Sequence, residues 1–271
     1  MESDIPRSTP SRSKEQGCEI TEPSNLGELL RYSARRIPQK PALICGDRVV
    51  SYEALDVSSD ALARFLLRKG LDSGDRVAIH WSNSVELVNL YFACFKAGLV
   101  AVPINIRLKG PELAYVLQQS SARVCFSQPE FAPVCEGVRG DCPHLEHTYS
   151  ALPRLKTTES EVALPDLASS RVAAILHTSG TTARPKGVIH THASLMAASS
   201  LTSSLGLDET DVLLAPTQMV HIGAIGGALL TGLSTGGTVV LLPTFDAVEC
   251  LDLIERWRCS YVFVLPTMLR S

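Results

Sequence analysis

From position 177 to 188 the chain reads His177-Thr178-Ser179-Gly180-Thr181-Thr182-Ala183-Arg184-Pro185-Lys186-Gly187-Val188. These residue types suit a polyphosphate. Small residues let main-chain N–H groups approach phosphate oxygens, the hydroxyls of Thr178, Ser179, Thr181 and Thr182 add donors, and Lys186 supplies positive charge. At about 4 Å and an effective dielectric of about 20, a lysine–phosphate pair is worth on the order of 4 kcal/mol before desolvation. Composition alone favours an ordinary Ser-, Thr- and Gly-rich surface turn. A Walker-type loop is excluded: it places Gly-Lys-[Ser/Thr] together, whereas Lys186 stands between Pro185 and Gly187.

The element that must present this loop is Val172-Ala173-Ala174-Ile175-Leu176, a continuous apolar run of buried-strand type, so the loop leaves the carboxyl end of a strand, where open α/β sheets bind ligands. Upstream, Asn25-Leu26-Gly27-Glu28 reads as a capping box before a helix whose face carries Leu26, Leu29, Leu30, Ala34 and Ile37. Gly46-Asp47 between two short apolar runs marks a hairpin. A helix carrying Leu55, Leu62, Phe65 and Leu66 and stopped by Gly70, a strand Arg76 to His80, a helix opened by Ser84 and a strand Val100 to Pro103 follow. Then come a helix starting at Pro111 and a strand Arg123 to Phe126. Residues 1–24 read as a flexible tail, 25–127 as a first α/β lobe, 128–170, with its five prolines, as an irregular connection, and 171–271 as the start of a second lobe. In that lobe Val188 to His190 reads as a strand and Ala193 to Leu205 as a helix. Asp246 caps a last helix carrying Val248, Leu251 and Ile254, ahead of a strand Tyr261 to Leu265.

From Val212 to Pro243 the only ionisable side chain is His221. Pro216 and six glycines divide the stretch into strand, helix and strand, which fits a sheet buried on both faces better than a membrane span. Gly223 and Gly226 within it permit either close approach of a substrate or tight helix packing. The sequence has 271 residues, 45% of them hydrophobic and 20% charged, with a net charge of −3, which fits a folded globular protein and gives no basic footprint for nucleic acid. Eight cysteines show no CxxC pair and no metal-ligand spacing with histidine, so no metal site is assigned, and a reducing cytoplasm is the expected compartment. His177, His190 and His192 flank the loop without making a metal triad and read as structural or supporting donors.

Thr178 to Val188 resembles the phosphate loop of the adenylate-forming superfamily, which includes acyl-CoA synthetases. Val50-Ser51-Tyr52-Glu53-Ala54-Leu55 and Phe95-Lys96-Ala97-Gly98-Leu99-Val100-Ala101-Val102-Pro103-Ile104-Asn105 are similar to two further blocks of that family, in the same order. The resemblance runs from about Asn25 to the end of the chain. It implies an α/β fold of two flavodoxin-like lobes from the family's N-terminal domain, stopping before the β-barrel and the small C-terminal domain. One departure is Ala183, where the family usually has glycine; a positive φ there would cost alanine roughly 1–2 kcal/mol.

The function implied by the resemblance is ATP-dependent activation of a carboxylic acid, fatty or aryl, to an acyl-adenylate and then to a thioester of coenzyme A. Thr178, Ser179, Gly180, Thr181, Thr182 and Lys186 would hold phosphates, and Mg2+ would accompany the nucleotide. His221 matches the family position beside the acyl carboxyl that gates the pocket, and is the candidate catalytic residue. Phe245-Asp246 falls outside the position at which amino-acid-activating relatives hold an α-amino group, which favours a simple acid. Adenine-, ribose- and metal-binding blocks have no counterpart, so the resemblance implies completion by a further segment or a complementing C-terminal chain. Apolar surface left open by their absence would favour poor solubility or a partner. The rival reading is a noncatalytic product or docking module that retains only phosphate binding.

Overall fold

The structure, a computed structural model, describes residues 22–155, 162–178, 184–203 and 205–270. Local chemistry starts its helices where the sequence signals them. In α1 (Leu26–Arg36) Asn25 caps, its side chain accepting the Glu28 N–H at 3.0 Å, while Glu28 accepts the N–H of Ser24. Leu26, Leu29, Leu30 and Ala34 are its buried face. Next come β1 (Pro41–Cys45) and β2 (Arg48–Ser51), an antiparallel hairpin whose turn has Gly46 at φ +59. Then follow α2 (Tyr52–Arg68), β3 (Arg76–His80), α3 (Val85–Ala97), β4 (Val100–Pro103), α4 (Gly110–Ser120) and β5 (Val124–Ser127). Ser84 caps α3, and Gly98 ends it in the left-handed conformation at φ 70, a geometry that costs glycine little.

Two sheets result, and they do not divide the chain at 128–170. The connection itself holds α5 (Ala132–Gly137), a 3-10 turn and β6 (His147–Tyr149), which pairs parallel with β5. With β7 (Val172–Thr178) and β8 (Lys186–Thr191), the first sheet has the order β6-β5-β3-β4-β7-β8. The second, with β9 (Val212–Ala215), β10 (Thr238–Leu241) and β11 (Tyr261–Val262), has the order β11-β9-β10-β1-β2. The hairpin β1–β2 from the expected first lobe thus belongs to the later strands, and β7–β8 joins the earlier ones. Apolar patterning reports which segments are buried and leaves open which edges pair. Each sheet is parallel except for its last strand, β8 or β2. Between the sheets lies α3, touching β1 on one side and β3 and β4 on the other. Its Tyr91, Phe92 and Phe95 are fully buried in a core that extends from Leu43 and Val239 to Val77 and Ala101.

The apolar stretch from Val212 folds as β9, a helical segment and β10. That segment runs through α7 (Ile222–Ala224), a π-helical stretch Ile225–Leu230 and α8 (Thr231–Thr235). Its glycines serve packing. A Cβ on Gly223 would lie 2.4 Å from Phe263 Cζ, and one on Gly226 2.8 Å from Ala198 Cβ of α6 (His192–Ser203). Among the described residues no helix is long and apolar enough to cross a membrane. The last helix, α9 (Ala247–Trp257), differs from expectation in its face: Val248 and Leu251 are 69% and 67% exposed, while Cys250 and Leu253 are buried. The stripe Cys250, Leu253, Ile254 and Trp257 has the i, i+3, i+4, i+7 spacing, and it faces β9 and β10. The strand expected over Tyr261 to Leu265 is confined to Tyr261 and Val262.

Candidate functional site

The antiparallel pair β7–β8 places Thr178 opposite Lys186 and His177 opposite Gly187. A hydroxyl and an ammonium, both on exposed residues, therefore stand side by side where the loop departs. Ser179, Gly180, Thr181 and Thr182, with Ala183, lie outside the described residues. β7 runs parallel to β4 with Ala173, Ala174 and Leu176 buried, so Thr178 emerges at the carboxyl end of the sheet, beside the chain that leaves β4.

At that end a cavity of about 170 Å³ opens between four segments. Its walls are His177, Thr178 and Pro185 of the hairpin, Pro103 to Asn105 after β4, Leu108 and Val116 around α4, and Val220-His221. Thr178 and His221, far apart in sequence, thus share one cavity. Lys186 stands across the hairpin from Thr178 and is not part of the wall.

His221 is exposed at the N-cap position of α7, and its side chain makes no capping bond. The segment leading to it is tied down from α3. Asn83 is buried; its Nδ2 donates to the carbonyls of Thr217 at 2.9 Å, Leu242 at 3.2 Å and Ala215 at 3.4 Å, and its Oδ1 accepts the Met219 N–H at 2.9 Å. The Tyr91 hydroxyl donates to the Met219 carbonyl. Sequence reasoning missed Asn83, since an asparagine before a helix carries no sign of a distant backbone partner.

At the loop's first stem, His177 Nε2 lies 2.8 Å from Gln119 Oε1. An amide oxygen only accepts, so Nε2 carries the proton. Burial holds the His177 pKa below the usual histidine value, and its buried Nδ1 has no hydrogen-bond partner among the described residues. At the other stem the Arg184 guanidinium sits 5.3 Å from the centre of the Tyr115 ring. No signal in the sequence relates Tyr115, Gln119 and Arg184, because only the approach of α4 to the hairpin brings them together. His192 is a core residue: it is fully buried, its Nδ1 accepts the Leu26 N–H, and burial together with Arg171 pushes its pKa down to about 4. Asp246 caps α9 through the Glu249 N–H at 2.9 Å, as the sequence indicates. Among the described residues no group of three His, Cys, Asp or Glu side chains is placed to hold a metal ion.

Comparison with known proteins places the chain in a family. Residues 30–271 fit the AMP-binding enzyme family. A fatty acid–[acyl-carrier-protein] ligase, ScoC of Streptomyces coeruleorubidus, is 34% identical over 254 residues, covering 90% of this chain and 49% of the relative. Long-chain-fatty-acid–CoA ligase FadD13 of Mycobacterium tuberculosis is 33% identical over 254 residues, covering 90% and 50%. The crystal structure of the N-terminal domain of FACL13 from Mycobacterium tuberculosis, inhibitor-bound, superposes with a TM-score of 0.84 at 32% identity, covering 91% of this chain and 64% of that one. The chain spans about half the length of the curated relatives it matches. With the family fit covering most of its length and the same α/β architecture in a solved relative, the chain belongs to the AMP-binding enzymes, the adenylate-forming superfamily of acid ligases.

Proposed function

We propose that this chain supplies the phosphate-holding and acyl-facing part of an ATP-dependent ligase that converts a fatty acid to its acyl-adenylate and passes the acyl group to a thiol such as coenzyme A. The observation that carries this reading is the pairing of Thr178 with Lys186 at the carboxyl end of the sheet, with Thr178 and His221 on one cavity. A carboxylate oxygen attacks the α-phosphorus of ATP. The bond to the β-phosphate oxygen breaks, and pyrophosphate leaves with the electron pair. A thiolate then attacks the acyl carbonyl and AMP leaves. Lys186 and the Thr178 hydroxyl neutralise charge that gathers on the departing pyrophosphate, so the contribution is positioning and electrostatic stabilisation. His221 lies beside the reacting carboxyl, and the apolar walls Ile104, Leu108, Val116 and Val220 suit the start of an alkyl chain. Magnesium would accompany the nucleotide and shield its phosphates. The described residues offer no ligand cluster for it.

Lys186→Ala tests the reading. Removing one charge partner of a phosphate should weaken ATP binding to this chain roughly tenfold or more, measured by equilibrium dialysis. Unchanged affinity would reject the loop as the phosphate site. In carboxylate-dependent exchange of pyrophosphate into ATP, run with the complementing C-terminal segment present, fatty acids should outpace aryl acids. His221→Ala should raise the KM for the acid more than that for ATP.

A further inference from the structure

One face of α4 meets both ends of the phosphate loop. Tyr115 and Gln119 are four residues apart, one helical turn, so their side chains share a face. Gln119 accepts from His177, the residue before Thr178, and Tyr115 lies under Arg184, two residues before Lys186. Gly187, opposite His177 in the hairpin, is small for the same reason: a Cβ there would lie 3.1 Å from Gln119 Oε1 and 2.8 Å from Ile175 Cγ2. The close approach of Gln119 is therefore built into both strands of the hairpin.

We infer that Tyr115 and Gln119 are positioning residues, which fix the separation and direction of the two loop stems and so hold Thr178 and Lys186 in register for a polyphosphate. The inference rests on the reading of the loop as the ATP site. Gln119 is exposed, and Tyr115 is half-buried with its ring against the cluster that includes Leu113 and Val116, where leucine keeps an apolar contact, so replacement by leucine should disturb the loop while leaving the fold intact. The contacts differ in chemistry. Arg184 needs an aromatic face, which Phe supplies as well as Tyr, whereas His177 Nε2–H needs an acceptor, which a Glu carboxylate supplies as well as an amide oxygen.

Four variants of the full chain separate this from a general structural role: Tyr115→Leu, Tyr115→Phe, Gln119→Leu and Gln119→Glu. Hydrogen exchange of the amides of His177, Thr178, Lys186 and Gly187 should rise in both leucine variants and return to the wild-type level in Tyr115→Phe and Gln119→Glu. The thermal midpoint should stay unchanged throughout. ATP affinity should fall about 3–5-fold in each leucine variant, the scale of one exposed cation–π or hydrogen-bond contact, and recover in the conservative ones. Leucine variants with wild-type exchange at these four amides would overturn the inference, as would a lowered thermal midpoint that the conservative variants share. Absence of ATP binding by the wild type, with the exchange pattern intact, would refute the polyphosphate reading and leave the stem positioning standing.

Discussion

Lys96 illustrates how much a single residue can hide in a motif. Its side chain is 1% exposed, and its ammonium meets Asp56 and, at 2.7 Å, Asp60. Asp60 in turn receives Arg31 at 3.0 Å and Arg64 at 3.5 Å, so one carboxylate joins α1, α2 and α3. Burial raises the Asp60 pKa, but Lys96, by charge and hydrogen bond, with Arg31 and Arg64, brings it below the usual aspartate value of 3.8. A carboxyl depressed in the folded state contributes stability that is present above its unfolded pKa and lost as pH falls through the folded value. The Asp60→Asn variant should therefore show a shallower loss of stability below about pH 4 than the wild type in urea unfolding across the acid range. Superimposable acid limbs would discard this account. At neutral pH, Lys96→Met leaves two carboxylates without their buried cation and should cost about 3–5 kcal/mol. The lysine was legible as a family letter within Phe95-Lys96-Ala97-Gly98, but its partners were not, because Asp56 and Asp60 lie on another helix.

Elements were legible wherever a local signal set them. Ser84, Asn25 and Asp246 start helices because a side-chain oxygen satisfies an N–H that the helix leaves open. Gly46 turns a hairpin and Gly98 ends a helix at positive φ. What escaped the sequence was rotation and pitch. The face of α9 was misassigned because Val248 and Leu251 resemble core residues in type, yet the stripe through Cys250, Leu253 and Trp257 wins the larger contact. The π-helical stretch Ile225–Leu230 has no local signature, although the glycines around it do have one physical consequence. Phe263, just past β11, lies across Gly223 and Gly227, and a Cβ at Gly223 would come to 2.4 Å from Phe263 Cζ, too near to enter unmoved. Gly223→Ala should destabilise by about 1–3 kcal/mol, the scale of an overpacked site, and adding Phe263→Leu should recover most of that loss. A double-mutant cycle by urea denaturation measures the coupling; additive costs would mean that the glycine serves something other than the ring.

At the scale of the molecule the reading of an α/β fold holds, whereas the sheets cross the boundary expected at 128–170. Alternating elements announced parallel sheets. Pairing partners were not announced, because Leu43 and Ile44 of β1 are as apolar as any neighbour they could choose, and they choose Val239 and Val240 of β10. The consequence is mechanical. Neither sheet can form from one half of the chain, since each needs a hairpin contributed by the other, and α3 is packed between both. The Thr178–Lys186 pair, carried by one sheet, and His221, carried by the other's connection, are thereby held on a common core. Unfolding should then be a single cooperative transition. The chain has two tryptophans, one beside each sheet: Trp81 follows β3, and Trp257 closes α9 against β9 and β10. In Trp257→Phe the fluorescence reports the first sheet, and in Trp81→Phe the second. Within each variant the urea midpoint by fluorescence should coincide with that by far-ultraviolet circular dichroism, which is the test of two-state behaviour. A Trp257 signal lost well before the dichroism would mean that the second sheet melts alone, and the cavity joining Thr178 to His221 would then open without global unfolding.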